Sequence, residues 1–169
     1  GNASLTMYGG TFDVVDQGIY INNTGYAFDN LIGGGTIRTS RSFVVGRPGF
    51  NPTNLIVELY GSTDAYVGTA EGSSLFHLII NKSGREGDQT RSNTIIGTER
   101  LAILGNLMIS AGNFSAPQIL FINGNWLNLM GPDAFIEGSG TVVFQGSEHQ
   151  YCSTENFNNL RLAKVGGSL

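Results

Sequence analysis

Apolar residues along the chain occur in short runs, and their pattern predicts β-strands. The runs "LIINK", "LAIL", "LMIS", "ILFIN" and "TVVFQ" contain β-branched or aromatic residues, and Gly, Asn or Ser stands at their borders. The chain has no sustained i, i+3, i+4, i+7 spacing of the kind that indicates an amphipathic helix. The sequence therefore predicts an all-β protein built from strands of four or five residues.

One phrase returns along the chain: "LAILGN" at 101–106 is followed by "LFINGN" at 120–125. The glycines that close successive apolar runs, at 61, 84, 105, 124, 146 and 166, are nearly evenly spaced. Their step of roughly 21 residues is typical of solenoids and holds about three short strands with tight corners. We therefore predict a parallel β-helix (β-solenoid) of about eight coils. Its predicted inward-facing residues are Leu101, Ile103, Leu120, Ile122, Val142 and Phe144.

The whole chain, residues 1–169, is predicted to form a single solenoid segment, because its length suffices for one core. A longer similarity, between residues 57–84 and 142–167, indicates an internal duplication. The older copy is predicted to span about 1–84 and the second copy about 85–169. Because the chain begins without an initiator Met and its last residues, "KVGGSL", lie within a repeat, we expect an excised piece of a longer repeat protein.

The polar composition fits such a fold. Charged residues make up only 13% of the chain, whereas it contains 25 Gly, 16 Asn, 14 Ser and 13 Thr. Glycine supplies positive φ at sharp corners, and asparagine tolerates that region while its side chain bonds to nearby backbone. The Gly-Asn pairs at 105–106 and 124–125 are therefore predicted to form corners where asparagines stack between coils.

Charge, hydropathy and cysteine content exclude several functions. A net charge of −4 with scattered Lys and Arg gives no basic surface for nucleic acid. No apolar run is long enough to span a membrane, which takes about 18 residues or more. The only cysteine, Cys152, cannot form a disulfide within the chain and is predicted to be a small buried apolar residue. Strand alternation would place His149 on the opposite face, which argues against a catalytic thiol.

Three segments in the second half of the chain carry a resemblance to a known family. "INGNWLN", "GSGTVVFQGSEHQ" and "FNNLRLAKVGG" resemble the repeats of very large surface proteins secreted by Bacteroidetes-type bacteria. The resemblance covers residues 76–169 well and 1–75 loosely, where Trp126 has only Tyr26 as a counterpart. It implies a cell-surface adhesin or gliding-associated filament that is cargo of the type IX secretion system.

Parallel β-helices also include pectin-lyase-like enzymes, whose grooves hold carboxylates beside an Arg or Lys. The candidates here are Asp13, Asp16 and Arg38. An Asp and an Arg about 21 residues apart could meet on one face, as the spacing between Asp16 and Arg38 would allow. Asp29 and two further arginines, Arg41 and Arg47, lie nearby in the sequence. The Asp-Asp, Gly-His-Gly and Arg-x-Lys elements of galacturonases are absent, and so is a three-Asp calcium set. Solvated or paired surface charges are the simpler interpretation.

Aromatic residues divide into core and surface candidates. Five phenylalanines are predicted to fill the core or its ends: Phe114, Phe121, Phe135, Phe144 and Phe157. A row of exposed tyrosines would suit sugar stacking, although Tyr is also a common strand residue. The candidate sugar or partner contacts are Tyr8, Tyr26, Tyr66 and Tyr151.

Three functions remain open at this point. The first is a non-enzymatic structural or adhesive module, secreted to a bacterial cell surface, whose partners are neighbouring repeats, export or attachment proteins, or surface polysaccharide. The second is a β-helix lyase or hydrolase acting on acidic polysaccharide, and the third is a carbohydrate-binding module. No cofactor and no metal site is expected for the first function.

Overall fold

A computed structural model of the chain describes residues 7–22, 32–83 and 94–169. These residues form short strands and a single 3-10 turn at Pro132–Ala134. In chain order the strands are β1 (Met7–Val14), β2 (Ile19–Ile21), β3 (Ile32–Thr39), β4 (Phe43–Val45), β5 (Leu55–Gly61), β6 (Ala65–Thr69), β7 (His77–Lys82), β8 (Thr94–Gly97), β9 (Arg100–Ile103), β10 (Leu107–Ala111), β11 (Asn113–Ser115), β12 (Ile119–Ile122), β13 (Trp126–Asn128), β14 (Phe135–Ile136), β15 (Thr141–Gly146) and β16 (Asn159–Lys164).

The strands stack into three parallel sheets, so the fold is the β-solenoid that the sequence predicts. The first sheet has the order β1-β3-β5-β7-β10-β13, the second β14-β11-β8-β6-β4-β2 and the third β16-β15-β12-β9. Successive strands lie in different sheets up to β15, whereas β15 and β16 both belong to the third sheet. Strands inside a sheet pair in parallel with a strand of the preceding turn and a strand of the following turn. Strands from both halves of the chain pair directly, as β7 does with β10.

The number of turns differs from the prediction, because the described residues form about six turns and not eight. Turn length is not constant: Leu101 pairs with Leu120 across a short turn, whereas Leu78 pairs with Leu107 across a much longer one. The long turn holds β7, β8 and β9, so the step from Gly84 to Gly105 lies within one turn. Counting the spacing between these two glycines as a separate coil therefore overestimates the number of turns.

The core lies between the three sheets and consists of columns of apolar side chains. All six predicted inward residues are at most 1% exposed, which confirms this part of the prediction. In the first sheet a column of the same kind contains Ile37, Val57, Leu78, Leu107 and Trp126. Strand alternation directs every second side chain inward, and parallel in-register pairing places these side chains directly above one another.

The predicted core phenylalanines are confirmed with one exception. Phe114, Phe135 and Phe144 are buried, and Phe157 packs partly buried against the core. Phe121 is wrong as a core residue, because its neighbours Leu120 and Ile122 point inward and strand alternation turns its ring outward. The guanidinium of Arg100 lies 5.2 Å from the centre of that ring.

Candidate functional site

The outer face of the first sheet brings two of the predicted site residues together. Asp13, Arg38 and Glu58 occupy paired positions on β1, β3 and β5 and alternate with inward residues of the core. Nη1 of Arg38 lies 3.2 Å from Oδ2 of Asp13, and its Nε lies 2.8 Å from Oε2 of Glu58. The guanidinium therefore links carboxylates of the preceding and following turns.

Tyr60 and Asn81 complete this group, which we call the outer polar ladder: Asp13, Arg38, Glu58, Tyr60 and Asn81. The Tyr60 hydroxyl donates to Oδ1 of Asp13 at 2.7 Å, and Nδ2 of Asn81 donates to Oε1 of Glu58 at 2.8 Å. The Arg38 guanidinium also lies 4.5 Å from the centre of the Tyr60 ring. All four carboxylate oxygens of the ladder thus accept a hydrogen bond from another turn.

Electrostatics within the ladder favour the charged form of Arg38 and the neutral form of Tyr60. The hydrogen bond and the charge of Glu58 raise the pKa of Arg38, and the hydrogen bond to Asp13 raises the pKa of the Tyr60 phenol. The Arg38 guanidinium lies between the two carboxylates and forms an ion pair with each of them. The geometry is that of paired surface charges between coils.

The remaining predicted charges lie elsewhere. Asp16 follows β1 with a left-handed backbone, at φ 57°, and its backbone N–H donates to Oγ of Ser40 at 2.8 Å. Arg38 therefore pairs with Asp13 of β1, and the suggested pairing with Asp16 does not occur. Arg41 is exposed before β4, and Nε of Arg47 donates to the carbonyl of Pro48. Asp29 lies outside the described residues.

The candidate tyrosines do not form a row. Tyr8 belongs to β1 of the first sheet and Tyr66 to β6 of the second, whereas Tyr151 lies beside Trp126 of β13 at the far end of the first sheet. All three are exposed, with 52 to 78% of their surface accessible. Tyr26 lies outside the described residues. No common stacking platform results from the three described tyrosines, since they occupy separate parts of the surface.

The repeated Gly-Asn pairs form a second ladder at the corner that precedes the first sheet, as the sequence predicts. Oδ1 of Asn106 accepts from the backbone N–H of Asn125, and Oδ1 of Asn125 accepts from that of Tyr151, at 2.9 and 2.8 Å. At the other end, Nδ1 of His77 accepts from the backbone N–H of Asn106 at 2.9 Å. We call this group, His77, Asn106, Asn125 and Tyr151, the corner ladder. Burial lowers the pKa of His77 and so favours the neutral ring that this bond requires.

Lys82 is a polar core residue that the sequence reasoning missed. It ends β7, is only 1% exposed, and its Nζ donates to the carbonyls of Ser40 and Tyr60 at 2.8 and 2.6 Å. Burial lowers its pKa to about 8. Strand alternation could have predicted this burial, because Lys82 follows the outward Asn81 and continues the inward series of Leu78 and Ile80. The ammonium satisfies carbonyls of two earlier turns.

A second missed group surrounds Trp126 near the end of the stack. Nε1 of Trp126 and Nδ2 of Asn128 both donate to Oε1 of Glu155 at 2.7 Å. Oε2 of Glu155 is buried without a partner in the described part of the chain, and burial raises the pKa of this carboxyl. Burial likewise raises the pKa of the nearby Cys152 thiol to about 11. Cys152 is thus a partly buried free thiol, and His149 bonds to Ser168.

An open groove of about 580 Å³ crosses three turns where β4, β6 and β8 end. Its charged lining residues are Glu71, Glu99 and Arg100. Nη1 of Arg100 is anchored by the Thr69 hydroxyl and by the carbonyls of Ala70 and Ser73, all within 3.0 Å. The groove thus combines two carboxylates with one fixed guanidinium, none of which the sequence analysis singled out.

In residues 7–22, 32–83 and 94–169, no three His, Cys, Asp or Glu side chains are grouped as a metal site would require. In the same ranges no helix has the length and apolar character needed to cross a membrane.

Comparison with known proteins gives no relative: no family model, no curated protein and no solved structure matches the chain. The resemblance to repeats of bacterial surface proteins therefore stays a prediction.

Proposed function

We propose that the chain is a non-enzymatic structural and adhesive module of a secreted bacterial cell-surface protein, and that it travels as cargo of an outer-membrane export system of the type IX kind. The export route and the cell surface are suggested by the resemblance of residues 76–169. Neighbouring repeats and surface-attachment proteins are the expected partners. The module acts as a stiff spacer that holds adjoining parts of its parent protein at a distance from the cell.

One observation supports a structural role over a catalytic one. The polar side chains that could have formed a catalytic centre, Asp13 and Arg38, have their hydrogen-bonding groups engaged between turns of the outer polar ladder. The corner ladder and Lys82 use their polar atoms in the same way, in satisfying backbone groups of neighbouring turns. In a solenoid each turn contacts only its neighbours, so such bonds keep a long stack in register.

The first experiment tests for chemistry. The purified chain is incubated with polygalacturonate, alginate and neutral glycans, with and without Ca²⁺, and new unsaturated or reducing ends are followed. We expect no product from the chain or from its Asp13→Asn variant. Product that disappears in the Asp13→Asn variant, while circular dichroism shows an intact fold, would replace this proposal with the lyase or hydrolase alternative.

The second experiment tests location. Protease is added to intact cells of the source bacterium, and antibodies raised against this chain follow its loss. We expect digestion in wild-type cells and protected, periplasmic chain in a strain that lacks the outer-membrane export channel. A chain that is protected in wild-type cells would contradict surface display.

A second candidate function, carbohydrate binding, is favoured by the groove at Glu71, Glu99 and Arg100. Carboxylates accept hydrogen bonds from sugar hydroxyls, a guanidinium donates them, and the groove crosses successive turns about 4.8 Å apart. Binding of the same glycans, measured by calorimetry for the chain and for its Glu71→Gln, Glu99→Gln variant, tests this candidate. Binding that the double variant loses would support it, whereas no heat of binding would exclude these glycans.

A further inference from the structure

The C-terminal end of the stack exposes apolar columns that are buried everywhere else along their length. Leu160 continues the column of Leu101, Leu120 and Val142, and its exposed fraction rises from at most 1% in that column to 47%. Leu162 continues the column of Ile103, Ile122 and Phe144 and is 58% exposed. Val165 and Leu169 are also exposed, at 88 and 43%. We call the surface formed by Leu160, Leu162, Val165 and Leu169 the C-terminal end face.

The backbone of this end face is equally incomplete. β16 pairs with β15 on one side and is the last strand of the third sheet in the described residues. The N–H and C=O groups along the other side of such an edge strand are a template for a further strand. A strand that continues the sheet as its other members do must run parallel to β16.

The N-terminal end of the stack also combines edge strands with an exposed apolar residue. β1 and β2 are the edge strands of the first and second sheets in the described part of the chain. Phe12 occupies the same inward column as Ile37 and Val57, yet it is 42% exposed where they are at most 1% exposed. Both ends therefore present an apolar column beside an edge strand.

Charge distinguishes the two ends and makes them complementary. The described residues of the first turn, 7–22, include Asp13 and Asp16 and no Lys or Arg, whereas the last strand, β16, carries Arg161 and Lys164 and no Asp or Glu. In a chain with a net charge of −4, the C-terminal end is thus locally positive and the N-terminal end locally negative. Opposite potentials favour contact between unlike ends and oppose contact between like ends.

We propose that the C-terminal end face binds the N-terminal end of a second copy of this chain, head to tail. The copies stack with their strands parallel, and the contact uses different surfaces on the two partners. A heterologous contact of this kind does not close on itself, so it produces open chains of copies. This inference goes beyond the proposed function and rests on the fold and the charges alone, whether or not the chain is secreted.

Sedimentation velocity over a range of concentrations tests the association. We expect the average mass to rise beyond that of a dimer as the concentration increases, and to fall when salt screens the two ends. The Leu162→Lys variant should remain monomeric. Leu104→Lys, which changes a 40% exposed leucine in the middle of the stack, is the matched control and should associate like the wild type. A wild-type chain that stays monomeric at every concentration would overturn the proposal.

Charge reversal tests the polarity of the contact and does not depend on the leucine variant. Arg161→Glu alone and Asp16→Lys alone should each weaken self-association. An equimolar mixture of the two should restore association, in chains that alternate the two variants, because each end of one variant then meets an end of opposite charge on the other. A mass that stops at the dimer and responds to Arg161→Glu but not to Asp16→Lys would show a two-fold, tail-to-tail contact and overturn the head-to-tail arrangement.

Discussion

At the residue scale, the polar side chains of this protein act mainly on neighbouring turns. Lys82 donates to carbonyls of two earlier turns, and Asn106 and Asn125 accept from backbone N–H groups of later ones. Burying a polar group without a hydrogen bond costs free energy, because the group loses its contacts with water without replacement, and these bonds avoid that cost. The positions of these polar side chains therefore help to determine the register between neighbouring turns.

Lys82 should give the stability of the fold a pH dependence. Its pKa is lowered to about 8 in the folded chain, so between pH 8 and 10.5 the unfolded chain holds more of this proton. The free energy of unfolding of the wild type should therefore rise with pH relative to that of Lys82→Met, by about 3 kcal/mol over the whole window. Urea denaturation at a series of pH values measures this difference. Ile80→Met removes no titrating group and should leave the wild-type pH dependence unchanged, and parallel curves for wild type and Lys82→Met would contradict the assignment.

At the element scale, each strand is too short to be stable alone and depends on the corners that set its register. Gly105 and Gly124 lie against each other at the corner before the first sheet, and the backbone N–H of Gly124 donates to the carbonyl of Gly105 at 3.0 Å. This close approach places the two following asparagines within hydrogen-bonding distance. The corner, more than the strand, is the element that repeats.

Gly124→Ala should therefore destabilise the fold clearly. A Cβ at this position would overlap the carbonyl group of Gly105, so the backbone of one turn must shift, at a cost of about 1–3 kcal/mol. Gly166→Ala is the matched control, because its Cβ would meet nothing closer than the Ser147 carbonyl oxygen, at 3.1 Å, and it should cost less than about 1 kcal/mol. Thermal denaturation of both variants measures the effect. Equal losses would mean that the contact between the two glycines does not limit the corner.

At the scale of the whole molecule, stability comes from columns of side chains that cross successive turns. Along one column of the third sheet, Leu120 is fully buried between two other strands, whereas Leu160 is half exposed on the last strand. The same residue type thus has very different surroundings at two levels of one stack. A solenoid of this kind is most stable in the middle and weakest at its ends.

Two leucine substitutions test this gradient. Leu120→Ala should lower the free energy of unfolding by about 2–5 kcal/mol, because it leaves a cavity between two packed turns. Leu160→Ala removes the same atoms from a half-exposed site and should cost less than about 1 kcal/mol. Both are measured by urea denaturation at a concentration where the chain is monomeric. A Leu160→Ala loss as large as that of Leu120→Ala would show that the end of the stack is already covered in the monomer.

The candidate site illustrates how far sequence reasoning reaches. An Asp and an Arg of adjacent turns do meet on one face, but the pair is Asp13 and Arg38, whereas spacing alone favoured Asp16. The register between turns decides which Asp reaches Arg38. A shift of three residues moves a side chain along the strand and also to the opposite face of the sheet. Register depends on the packing of distant residues, which a local pattern does not contain.

The all-β class, the parallel stack, the inward residues of the third sheet and the Gly-Asn corners could all be predicted from the sequence. These features follow from local physics: alternation has a period of two residues, and few residue types tolerate a sharp corner. The number of turns, the partner of Arg38, the separation of the tyrosines and the burial of Lys82 depend instead on packing between residues that are distant in the sequence. The short turn from Leu101 to Leu120 and the long turn from Leu78 to Leu107 differ in length, yet both keep their paired strands in register. The count of turns therefore cannot be obtained from a single average step.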